Sequence, residues 1–117
     1  MRAEPQAGLT VDVTDDTFAE AVLASDRPVL VDFWATWCPS CMRLAPTLAE
    51  LAGEFGDRMV VAKINADENP GTVRAYGVMS LPTLLVFRGG EVVGSLVGAR
   101  PKSYLRDALS PHLLVLG

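Results

Sequence analysis

The sequence predicts an α/β domain in which a mixed central β-sheet is flanked by helices on both faces. Three observations predict it. Short apolar runs alternate with segments of helical spacing between Leu9 and Leu109, the pattern of strands joined by crossover helices. "RPVLVDFW", residues 27–34, is apolar almost without a break, as a strand buried on both faces should be. Gly89–Gly90 separates "PTLLVFR" from "EVVGSLVG", which marks an antiparallel hairpin. A chain of 117 residues suits one domain with a substantial core. Residues 1–8, polar or small with Pro5 and Gly8, read as a flexible lead-in, and residues 9–117 as the single domain.

In chain order, "LTVDV" is a short strand. Thr14 is placed as the N-cap of a first helix, with Asp15 and Asp16 in its first turn, where the helix dipole favours acids. Phe18, Ala21 and Val22 follow at helical spacing. The second strand, residues 27–34, carries one anomaly, Asp32. From Pro39, the apolar residues Cys41, Leu44, Ala45, Leu48, Leu51, Ala52 and Phe55 form one helical face. Pro46 falls inside that helix and should kink it, because it cannot donate to the Met42 carbonyl.

"MVVAKIN" is the third strand. Asn69 as cap, Pro70 at the first helical position and Gly77 as stop define the next helix. The Gly-Gly hairpin supplies two more strands. "ARPKSYLRDAL" begins the last helix, which Ser110–Pro111 ends, and "HLLVLG" trails it. Helical crossovers imply parallel neighbours early in the chain, and the hairpin an antiparallel pair late.

Composition excludes several function classes. The net charge is −4 and no long Lys/Arg run occurs, which argues against nucleic acid and anionic membranes as partners. Hydrophobic residues at 50% and charged residues at 21% indicate a packed globule rather than disorder. The apolar stretches are too short to cross a bilayer, and the N-terminus lacks a signal-peptide core, so a cytoplasmic location is expected.

The chemistry concentrates in "FWATWCPSCMRLAP", residues 33–46. It holds both cysteines, Cys38 and Cys41, and both tryptophans, Trp34 and Trp37. A closed zinc site needs four ligands, and with His112 far along the chain only three Cys or His residues exist. No metal is therefore expected, and the close pair points to redox chemistry. Pro39 suits the first helical position, which makes Cys38 the N-cap. Free amides and the positive end of the dipole would stabilise a thiolate there. Cys38 is expected as the exposed nucleophile and Cys41, one turn in, as the inner resolving thiol.

Asp32 has two readings: a structural acid satisfied by a neighbour, or a proton acceptor for Cys41 whose pKa is raised by burial. Lys63, in the next strand, is either its cationic partner or an ordinary solvated lysine. Pro82 begins a strand, where proline needs no special reason, and both isomers are open to it.

"VDFWATWCPSC", Pro46, "VAKINADENPG", "YGVMSLPTLLVFRGGEVV" and "VGA" together resemble the thioredoxin family over roughly residues 10–109. The resemblance implies the thioredoxin fold and a protein disulfide reductase. It implies that Cys38 attacks, Cys41 resolves, Asp32 is the buried acid under the disulfide and Lys63 tunes that acid. It further implies that Pro82 is a cis-proline facing the disulfide and that the Leu81 backbone pairs with a bound peptide. Trp37, Gly90 and Gly98 would belong to a flat docking surface beside Pro39 and Ser40, and Pro46 would be the helix-kinking proline. No cofactor is expected beyond a redox-active Cys38–Cys41 disulfide. There is no Gly-rich dinucleotide fingerprint, so reducing power would come from a thioredoxin reductase, an NADPH-linked flavoprotein. Disulfide-containing proteins would be the clients, and a monomer is expected.

The chain departs from the usual Cys-Gly-Pro-Cys. Pro39 and Ser40 fill the motif, and Met42 stands where a lysine is common. The second and third helical amides, those of Ser40 and Cys41, should donate to the Cys38 sulfur, and the Ser40 hydroxyl adds another donor. This predicts a lower Cys38 pKa and a more oxidising potential than a Gly-Pro motif would give. Two rival functions stand beside general reduction. One is a specialised oxidant, isomerase or single-client reductant, and the other a binding subunit that does not use its thiols.

Overall fold

The computed structural model describes residues 8–115. The lead-in expected over residues 1–8 therefore lies, Gly8 apart, outside the described residues, as do the last two residues of the expected domain.

Five strands form one mixed sheet: β1 (Thr10–Asp12), β2 (Val29–Trp34), β3 (Val60–Asn65), β4 (Thr83–Arg88) and β5 (Glu91–Val97). Their spatial order is β1-β3-β2-β4-β5. β1 and β2 both pair in parallel with β3, while β2–β4 and β4–β5 are antiparallel. The central strands β2, β3 and β4 carry the long apolar runs because both their faces are covered. The edge strand β5 is largely exposed.

Three helices accompany the sheet: α1 (Pro39–Phe55), α2 (Pro70–Ala75) and α3 (Lys102–Leu109). One face of the sheet buries Leu30, Val61, Leu84 and Val86 against Leu44, Leu48, Leu51 and Phe55 of α1 and Leu105 and Leu109 of α3. The other face buries Val29, Val31, Phe33, Ile64 and Phe87 with Phe18 and Val22, and Val73 and Tyr76 pack against that cluster. Alternation along each strand divides these residues between the faces. The expected apolar stripe of α1 is buried except for Ala45, which is half-buried. α1 runs on through Pro46, whose ring leaves the Met42 carbonyl without its helical donor.

The first helix differs from expectation. It is a single π-helical turn, Ala19–Leu23, in which the Ala24 amide donates to Ala19 at 2.9 Å. Thr14 does cap a turn, in a reciprocal exchange: the Thr14 amide donates to the Thr17 hydroxyl and the Thr17 amide to the Thr14 hydroxyl. Asp15, however, serves another helix. Its carboxylate accepts from the Gly71 and Thr72 amides at 3.0 and 2.8 Å, and from the Thr72 hydroxyl at 2.6 Å. Asn69 occupies the N-cap position of α2, but its side chain caps nothing there. It accepts from the Asp15 amide and donates to the Asn65 carbonyl instead. A carboxylate is the better cap because charge strengthens the bonds to the orphan amides. Gly71 makes room for it, since a Cβ there would lie 3.0 Å from Asp15 Oδ2.

Gly89 and Gly90 form the tight turn between β4 and β5, with φ of +59° and +83°, which only glycine adopts without strain. The tail after α3 is tied back. Leu113 packs on the α1–α3 core, the Leu114 amide donates to the Arg58 carbonyl, and Arg88 donates to the His112 carbonyl.

Candidate active site

The site forms where β2 ends and α1 begins. Cys38 is the N-cap of α1 in extended conformation, and Pro39 is the first helical residue. Proline costs nothing there because that amide would have no helical partner. Cys38 and Cys41 form a disulfide with their Cα atoms 5.2 Å apart. One turn of helix brings the second sulfur under the first.

The Cys38 sulfur meets two polar groups. The Cys41 amide donates to it at 3.2 Å, and the Ser40 hydroxyl lies 3.4 Å away. The expected Ser40 amide is not among its donors. Serine contributes through its side chain instead. Capping also changes the expected exposure. Cys38 is only 4% exposed, because its sulfur folds back over the first turn, and Cys41 is 1% exposed. The exposed aromatic beside the cysteines is Trp37, at 65%.

Trp37 is nonetheless held. Its indole N–H donates to Asp67 Oδ2 at 2.8 Å, and the Asp67 amide in turn donates to Asn65 Oδ1. Asp67 was not singled out from the sequence, and nothing in a 30-residue separation could have shown it.

Below the motif, Asp32 is 1% exposed, and neither of its oxygens has a hydrogen-bond partner among the described residues. Burial pushes its carboxyl up to about 7, while the positive charge of Lys63 pulls it down. Lys63 is the register partner of Asp32 across the parallel β2–β3 pair, so the two side chains leave the sheet on one face. Its ammonium lies 5.1 Å from the centre of the Trp34 ring. The Trp34 indole N–H is buried and also without a partner among the described residues.

Pro82 is buried, and the Leu81–Pro82 bond is cis. The next residue, Thr83, pairs with Phe33 of β2, which brings Pro82 to the same end of the sheet as the cysteine loop. The Gly98 amide donates to the Pro82 carbonyl at 2.8 Å, so Gly98 joins this end. Leu81 is half-buried beside them. Gly90 does not join them. It turns the hairpin at the far end of β4, and six strand residues at ~3.3 Å each separate it from Pro82 by roughly 20 Å. The docking role implied for Gly90 is therefore corrected by the topology.

Among the described residues, no group of three or more His, Cys, Asp or Glu side chains gathers to hold a metal ion. No helix there is long and apolar enough to cross a membrane.

A paired disulfide at a helix N-terminus, on a mixed five-stranded sheet, is matched by the thioredoxin family model over residues 9–111. The chain belongs to the thioredoxin family. It is 54% identical over 99 residues to a thioredoxin of Streptomyces clavuligerus, covering 85% of this chain and 92% of that one. It is 45% identical over 107 residues to thioredoxin 2 of Chlorobaculum tepidum, covering 92% and 98% respectively. It is also 48% identical over 104 residues to a bifunctional thioredoxin reductase/thioredoxin of Mycobacterium leprae, covering 89% of this chain and 23% of that protein. As a thioredoxin-family protein with this disulfide, the chain is a thiol–disulfide oxidoreductase that reduces disulfides by dithiol–disulfide exchange.

Proposed function

We propose that Cys38 is the attacking thiol and Cys41 the resolving one. The Cys38 thiolate attacks a client disulfide, forms a mixed disulfide and expels one client sulfur as thiolate. Cys41 then loses its proton to Asp32 and attacks Cys38. The internal disulfide forms, the second client sulfur leaves, and the client has gained two electrons. The N-cap position of Cys38 carries this reading, because the Cys41 amide already points at the Cys38 sulfur. That donor favours the anion at Cys38 and does nothing for an anion at Cys41.

Asp32 suits the proton acceptor because a carboxyl pushed up to about 7 takes and returns a proton near neutral pH. Lys63 tunes it through charge. Clients dock across Trp37, Pro39, Ser40, Leu81, Pro82 and Gly98, with the Leu81 backbone pairing an extended client segment. A thioredoxin reductase drawing on NADPH recycles the disulfide, a role supported by the Mycobacterium leprae relative whose name joins the two activities. The protein works as a cytoplasmic monomer on disulfide-containing proteins, with no nucleic acid or membrane partner and no bound cofactor.

Insulin reduction with dithiothreitol tests the activity, and coupling to NADPH and a thioredoxin reductase tests the recycling. Turnover in both is expected. Insulin reduction without coupling would leave a specialised reductant, oxidant or isomerase. No reduction at all would leave a binding subunit.

A further inference from the structure

We infer that the Ser40 hydroxyl is a catalytic group, the second hydrogen-bond donor to the Cys38 thiolate, and that it sets the pH range over which this protein attacks disulfides. The inference rests on the assignment of Cys38 as the attacking thiol. Ser40 Oγ lies 3.4 Å from Cys38 Sγ and makes no other hydrogen bond among the described residues. Ser40 is half-buried, at the second position of α1, so its hydroxyl is held beside the sulfur by the helix. In the disulfide, sulfur is a weak acceptor and the contact is loose. A thiolate can only accept, so on reduction and ionisation the hydroxyl must turn its proton toward the sulfur. Hydrogen bonds to an ionised acceptor are shorter and stronger than neutral ones. The hydroxyl therefore stabilises the reduced, ionised form more than the disulfide.

The other donor, the Cys41 amide, is backbone and survives any side-chain change. The ionisable side chains on the surrounding elements are Asp32 on β2, Lys63 on β3, Asp67 and Glu68 after β3, Arg74 on α2, Arg43, Glu50 and Glu54 on α1 and Arg100 after β5. The segment before β4, residues 77–82, carries none. All of these remain when Ser40 alone is changed, so the hydroxyl can be isolated.

A lower thiol pKa has two opposed kinetic effects. More thiolate is present at low pH, but each thiolate is a poorer nucleophile, with a Brønsted slope of about 0.4–0.5. The two effects predict a crossing that simple loss of structure would not produce. For a pKa rise of about half to one unit in Ser40→Ala, alkylation of the reduced chain by iodoacetamide should slow about 2–4-fold at acidic pH and quicken about 2–3-fold on the alkaline plateau. The dithiol–disulfide equilibrium against glutathione should shift about 3–10-fold toward the disulfide, or roughly 15–30 mV more reducing at about 30 mV per tenfold. Ser40→Thr, which keeps a hydroxyl, should return the wild-type profile.

Identical pH–rate profiles for Ser40→Ala and wild type would overturn the inference. So would a lowered pKa in Ser40→Ala, because the hydroxyl would then have been accepting from the thiol. Alkylation needs no client. A chain that reduces insulin but shows no crossing keeps its function and loses this role for Ser40. A chain inert toward insulin that still shows the crossing does the reverse.

Discussion

Asp32 and Lys63 stand opposite each other in the parallel pairing of β2 and β3, on one face of the sheet, and exchange no hydrogen bond. Lys63 lies against Trp34 instead. The lysine charge thus lowers the Asp32 pKa without offsetting burial, and the carboxyl settles at about 7.

The raised pKa makes stability depend on pH in a defined direction. An unfolded aspartate titrates near ~3.9. Between there and about 7, the folded chain holds a proton that the unfolded chain has released. Stability therefore falls as pH rises through that window and levels off above it, by about 4 kcal/mol in all at ~1.4 per pH unit. Asp32→Asn should abolish the fall and be the more stable protein at pH 8. It should also slow resolution by Cys41 more than attack by Cys38. Urea unfolding of the oxidised chains from pH 4 to 8 tests the first part and rapid mixing the second. Parallel stability profiles for the two chains would refute the burial argument.

Lys63→Met removes the charge that lowers the Asp32 pKa. The carboxyl should then titrate above 7, and the pH at which resolution reaches half its maximum should move up with it. Carbon NMR of the Asp32 carboxyl reads the shift directly. No movement would mean that Lys63 is an ordinary solvated lysine.

Cys41→Ser should leave Cys38 able to attack but impossible to displace, so mixed disulfides with clients accumulate on Cys38. Mass spectrometry of trapped adducts locates the bond. Efficient trapping on Cys41 in the Cys38→Ser chain would invert the assignment.

Asp67→Ala should free the Trp37 indole, now tied at 2.8 Å. If Trp37 is part of the docking surface, KM for protein clients should rise several-fold with little change in kcat. Asp67→Asn, which keeps an acceptor oxygen, should lie near wild type. A loss confined to kcat would argue against a docking role.

Asp15→Ala should strip the N-terminus of α2 of the carboxylate that caps it from 57 residues away. The Gly71 and Thr72 amides should then exchange with solvent faster while the Cys38–Cys41 site is unaffected. The hydrogen bonds from Thr72 hold the Asp15 carboxyl below its ordinary value. Its contribution is thus present above the unfolded pKa and lost as pH falls through the folded one. Unchanged exchange would show that α2 does not depend on this cap.

Much of this was legible in the chain itself, for a local reason. The strand of residues 27–34, the apolar stripe of α1, the Gly89–Gly90 turn and the N-cap position of Cys38 each follow from residues within one or two turns of one another. Periodicity, proline and glycine stereochemistry act at that range. The placement of Asp32 in an apolar strand likewise announced a buried acid. Tertiary structure alone decided what depends on partners distant in sequence. It sent the Asp15 carboxylate to α2 rather than to its own turn, tied Trp37 to Asp67, and set Gly90 at the opposite end of the sheet from Pro82. It also selected the cis isomer before Pro82. Hydrogen bonds of this kind are chosen by packing once the sheet register is formed, because a polar group pairs with whatever the fold brings within 3 Å or so.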